Sequence, residues 1–85
     1  MSYFVYILRT SSNTLYTGYT NDIEKRMEKH KSGKGAKYMR SFSSFELVYR
    51  EEFETRSEAM KREIKLKKLT KEEKEKLISL TPHTD

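Results

Sequence analysis

Residues 3–9 read Tyr-Phe-Val-Tyr-Ile-Leu-Arg, residues 10–13 Thr-Ser-Ser-Asn, and residues 14–19 Thr-Leu-Tyr-Thr-Gly-Tyr; this opening stretch decides the fold. The first run is β-branched and aromatic on both alternating faces, which suits a central strand covered on two sides. The polar break that follows is a turn signal, with Asn13 tolerating the left-handed conformation of a tight reversal. The second run is another strand, so the pair predicts an antiparallel hairpin. Tyr6 and Tyr16 then share a face if the register permits, and Arg26 follows at the same ten-residue interval. The sequence leaves that register open, because a slip of one residue flips a strand.

Downstream, Asn21 is expected to cap a helix with Glu24 in the capping-box position, and Ser32-Gly33 to end it at about Lys31. Ile23, Met27 and His30 recur at helical spacing, and Arg26 and His30, four apart, lie on one face. Residues 33–40 form a basic, glycine-containing loop with one aromatic, Tyr38. Phe45 to Phe53 alternates as a third strand, with Glu46, Arg50 and Glu52 on its solvent face. Thr55 to Glu58 and Thr70 to Glu73 are capping boxes for helices running to about Lys68 and from Lys71 to about Leu80. The order β-β-α-β-α-α describes an α+β domain, a three-stranded antiparallel sheet flanked by helices.

The chain has 85 residues, which predicts one domain over residues 1–85 with a small core. Apolar residues are 34% and charged residues 36% of it, yet the apolar ones cluster in strand-like and helix-like windows, as in a folded domain. Without cysteine there is neither a disulfide framework nor a thiolate metal site. The apolar opening run is too short to span a bilayer and lacks the marks of a signal peptide, so the cytoplasm is expected.

Net charge is +5 and unevenly spread. Residues 24–40 carry Lys25, Arg26, Lys29, Lys31, Lys34, Lys37 and Arg40 against two acids, and residues 56–76 are basic again, with an acidic strand between. Such polarity attracts a polyanion, although a solvated, salt-bridged exterior accounts for composition equally well.

In the second of the three helices Glu63 falls within the apolar stripe of Ala59, Met60, Ile64 and Leu66. A carboxylate against a core is costly unless it is paired or bound to a metal. Pairing with Lys67 is the ordinary account. His30 has an equally plain one as a satisfied core residue, Arg26 as an ion-pair partner of Asp22, and the two tyrosines as sheet packing. No Walker loop, zinc-ligand spacing or Ser/His/Asp set competes.

Taken together, the residues resemble a known family. Phe4-Val5-Tyr6 and Tyr16-Thr17-Gly18 are similar to the two halves of the GIY-YIG nuclease signature. The spacing to Arg26, the histidine four residues on and the late helical glutamate complete the pattern over nearly the whole chain. The small stand-alone bacterial members resemble it most. Phe4, Val5 and Thr17 replace the signature's glycine and isoleucines. Tyr19 stands where the family's repair nucleases carry a lysine, and no asparagine follows Glu63.

The resemblance implies an endonuclease hydrolysing phosphodiesters in structured or single-stranded DNA, linked to repair or recombination. Tyr16 would activate water, supported by Tyr6. Arg26 would stabilise charge on the phosphate, and His30 would assist proton transfer. Glu63 would hold one divalent cation, Mg²⁺ or Mn²⁺, which tolerates a single protein carboxylate with water and phosphate in the other positions. A phenol has an ordinary pKa near 10, so neighbouring cations must favour the phenolate. Lys25, Lys29, Lys34, Lys37, Tyr38 and Arg40 would contact the nucleic acid, DNA ahead of RNA, without reading sequence. Neither a small-molecule cofactor nor a membrane is expected. The rival expectation is a weakly active or inactive nucleic-acid-binding module on the same scaffold.

Overall fold

The structure is a computed structural model that describes residues 2–31 and 45–80. The expected loop, with Lys34, Lys37, Tyr38 and Arg40, lies outside the described residues.

The elements run β1 (Tyr3–Thr10), β2 (Leu15–Thr20), α1 (Ile23–Lys31), β3 (Phe45–Phe53), α2 (Arg56–Lys67) and α3 (Lys71–Leu80). The α+β class and the order β-β-α-β-α-α are as the sequence predicts. β1 is the middle strand, antiparallel to β2 on one side and to β3 on the other. Val5, Ile7 and Leu8 are fully buried, as a strand with two apolar faces requires.

Those faces feed two cores. Val5 and Ile7 pack with Tyr49, Ala59 and Leu66, which seats α2 and, through Leu77 and Ile78, α3. Tyr6 and Leu8 pack on the other face with Tyr16, Ile23, Met27, Phe45 and Leu47, which seats α1. The hairpin reversal rests on Asn13 at φ 65° and on the Asn13 amide donating to the Thr10 carbonyl at 2.9 Å.

Three local expectations need correction. The cap of α1 is Asp22, whose Oδ1 accepts the Lys25 amide at 3.1 Å, and not Asn21. The Thr20 hydroxyl takes the Asp22 amide at 3.1 Å, which holds the chain in a turn one residue longer than the pattern suggested. In β3, Ile7 faces Tyr49 while Leu8 faces Leu47, so Val48 is an extra residue in the ladder. Glu46, Arg50 and Glu52 are exposed as expected. The bulge nevertheless sets Glu46, opposite Arg9, on the other side of the sheet from Arg50 and Glu52, opposite Tyr6 and Phe4.

In α2, Met60 and Ile64 are 39% and 52% exposed, so the buried stripe is narrower than expected. It runs through Ala59, Glu63 and Leu66, which leaves Glu63 more firmly inside it. The capping box of α3 forms, Thr70 and Glu73 capping each other's amides, while at α2 Thr55 Oγ1 accepts the Glu58 amide and donates to the Glu58 carboxylate. Among the described residues no helix is long and apolar enough to cross a membrane.

Candidate active site

The register answers what the hairpin left open. Tyr6 lies opposite Gly18 and Tyr16 opposite Leu8, so the two phenols are diagonal neighbours on one face. α1 packs on that face and delivers His30 and Arg26. The His30 ring is boxed edge-on by Tyr6, Tyr16 and Phe45 at centroid distances of 6.2, 5.7 and 5.8 Å. Its Nε2 is 3.1 Å from the Tyr6 hydroxyl, and both residues are buried.

A cavity of about 440 Å³ opens beside this pair. Tyr6, Tyr16, Arg26 and Glu63 line it, with Tyr3, Gly18, Tyr19, Thr20, Asn21 and Arg56. His30 does not reach its wall but supports Tyr6 from behind. Residues from both sheet faces contribute, since Tyr19 faces Val5 while Gly18 faces Tyr6.

Burial pushes the Tyr6 phenol well above its ordinary pKa, and Tyr16 adds to the effect because two adjacent phenols resist carrying two charges. Burial, with the nearby Arg26, lowers the His30 pKa, so the imidazole is neutral at pH 7. Arg26 has no ion-pair partner among the described residues, so the bridge to Asp22 that its plain account offered is not made there. Glu63 does pair with Lys67, at 3.4 Å, its own side chain only 16% exposed.

Among the described residues there is no cluster of three or more His, Cys, Asp or Glu side chains fit to hold a metal. A lone, partly buried carboxylate in a polar cavity fits a cation that keeps most of its water, such as Mg²⁺ or Mn²⁺, and not a closed zinc site.

The GIY-YIG catalytic domain family matches residues 2–76 of the chain. The chain belongs to the GIY-YIG family. Among GIY-YIG relatives, a UPF0213 protein of Staphylococcus aureus is 49% identical over 77 residues, covering 91% of this chain and 94% of that one. A UPF0213 protein of Staphylococcus saprophyticus is 48% identical over the same shares. Two solution NMR structures share the fold. One, a UPF0213 protein of Bacillus halodurans, matches with a TM-score of 0.63 at 46% identity, covering 95% of this chain and 86% of its own. The other, a protein of E. faecalis, matches with a TM-score of 0.65 at 40% identity, covering 100% and 94%.

Within this GIY-YIG domain the cavity recruits residues the sequence did not single out for the site. Tyr3 and Tyr19 alternate away from Tyr6 and Gly18, so strand periodicity assigns them to the far face. Arg56 opens α2 behind its Thr55 cap and carries no signal of its own. The Tyr19 hydroxyl accepts from Nε and a terminal nitrogen of Arg56, both at 3.4 Å. Lys25 and Lys29 line a smaller cleft of about 90 Å³ that shares Thr20, Asn21 and Arg26 with the main cavity.

Proposed function

We propose that this chain is a metal-dependent endonuclease acting on structured or single-stranded DNA. The observation that carries this is the convergence of Tyr6, Tyr16, Arg26 and Glu63, from four elements, on one polar cavity, with His30 bonded behind Tyr6.

Hydrolysis adds a water oxygen to phosphorus and expels an ester oxygen, and the attacking water must lose a proton. Burial keeps the proton on Tyr6, so this phenol serves as a hydrogen-bonding support. The role of base falls to Tyr16. A neutral His30 shares a hydrogen bond at Nε2 with the Tyr6 hydroxyl and fixes the orientation of that phenol. Arg26 offers its guanidinium to the phosphate as charge develops there. Glu63 is the residue that would hold Mg²⁺ or Mn²⁺, and a bound cation would supply charge stabilisation at the phosphate. Lys25 and Lys29 extend the positive surface along the backbone without reading bases. A place in DNA repair or recombination fits recognition of strand structure in preference to sequence.

A second reading, a nucleic-acid-binding module without turnover, draws on the Glu63–Lys67 pair, which occupies the carboxylate a cation needs. A panel of branched, nicked and single-stranded DNA substrates assayed with Mg²⁺ or Mn²⁺ separates the two. The endonuclease reading expects mapped cleavage that Glu63→Ala and Tyr16→Phe abolish. Equal cleavage by the unaltered protein and Glu63→Ala sinks it. Salt-dependent binding with no cleavage favours the module.

A further inference from the structure

Four of the five arginines among the described residues fall into two pairs. Arg9 and Arg62 are neutralised by carboxylates, Glu75 at 2.6 Å and Glu51 at 2.8 Å. Arg26 and Arg56 line the cavity, and among the described residues neither has a carboxylate partner. Arg56 is exposed, and its bonds are two long contacts to one neutral hydroxyl, that of Tyr19. A guanidinium has five donors, so this contact orients the fork and leaves most of its capacity unspent. The two cavity arginines also stand on helices packed against opposite sheet faces, Arg26 on α1 and Arg56 on α2. The cavity, at about 440 Å³, lies in the range of ~300–1,000 Å³ that takes a drug-sized ligand, more than a single phosphate.

We infer that Arg56, braced by the Tyr19 hydroxyl, is a second phosphate-contacting residue of this cavity and grips a backbone phosphate next to the one Arg26 engages. The strand is thereby held from both sheet faces, the scissile phosphate by Arg26 and its neighbour by Arg56. Arg56 is a positioning residue for that strand and takes no part in proton transfer. The inference rests on the reading above only in that the cavity receives a nucleic-acid strand.

The test is binding of a labelled single-stranded oligodeoxynucleotide to the full chain, by fluorescence anisotropy in EDTA over a series of KCl concentrations. For the unaltered protein log K falls linearly with log salt, by about 0.7 for each phosphate neutralised on a single strand. Arg56→Ala and Arg56→Gln are each expected to weaken binding and make that slope shallower by about 0.7, the loss of one contact. Arg56→Lys, which keeps the charge, is expected to keep the slope, a result that a merely structural role for the Tyr19 contact does not produce. If the unaltered protein and Arg56→Ala share one slope while Lys25→Ala is shallower, this inference falls and the nucleic-acid reading stands. If the unaltered protein does not bind at low salt, both fall.

Discussion

A Cβ built on Gly18 would stand 2.6 Å from the Tyr6 hydroxyl oxygen and 2.8 Å from the ring carbon that carries it. The glycine ending the second signature half is therefore the floor on which the tyrosine ending the first half lies. Tyr6 is 1% exposed and bonded to His30, so it has no room to swing aside. Gly18→Ala should cost about 1–3 kcal/mol by overpacking. At about 4–8 °C per kcal/mol in a domain of this size, that is a plain drop in melting temperature. A melting curve that superimposes on that of the unaltered protein refutes this account.

The His30 pKa is lowered chiefly by burial and further by Arg26, which makes stability depend on pH. In the unfolded chain a histidine takes its proton near pH 6.5, whereas the buried ring resists it. Its contribution to stability is therefore complete above about 6.5 and is lost as pH falls through the lower folded value. Thermal melts between about pH 8 and pH 5 should show this decline, and His30→Gln should flatten it. The same decline in both proteins assigns it to another group.

Much of this was legible in the sequence because one side chain decided each point. Both faces of residues 3–9 are apolar, and that alone places β1 in the middle. Thr55 with Glu58, and Thr70 with Glu73, start their helices where expected because each pair carries its own hydrogen bonds. The misplaced features depend on partners distant in sequence or on backbone turns. The bulge at Val48 preserves the alternating pattern of β3 while reversing its faces. Asp22 displaces Asn21 as the cap because Thr20 bonds to it first. Tyr3, Tyr19 and Arg56 join the cavity because it draws on both sheet faces, which strand periodicity treats as separate.

Lys67 competes for the carboxylate that the proposed chemistry needs. The pair lies one helical turn apart, with Lys67 55% and Glu63 16% exposed. Breaking it should cost no more than about 0.3–0.5 kcal/mol of stability. Lys67→Ala should thus leave the fold intact and lower the Mg²⁺ concentration that gives half-maximal cleavage. Glu63→Gln should remove the metal dependence along with the activity. An identical metal titration for Lys67→Ala and the unaltered protein would show that Glu63 does not meet the cation.

Glu75 of α3 is ion-paired to Arg9 of the hairpin. Arg9 donates to both oxygens of Glu75 at 2.6 Å and to Asn13 Oδ1 at 2.6 Å, while Lys71 reaches Glu75 at 2.9 Å. These bonds, Arg9's foremost, lower the Glu75 pKa to about 2. A carboxyl that is harder to protonate when folded contributes stability that is full above the unfolded value of about 4.3 and is lost as pH falls toward 2. The pair is partly exposed and screened, so its worth is at most about 1 kcal/mol. Glu75→Gln should melt lower than the unaltered protein at pH 7 and converge with it near the folded pKa. A constant gap down to that pH would mean that Glu75 acts through packing and not through its charge.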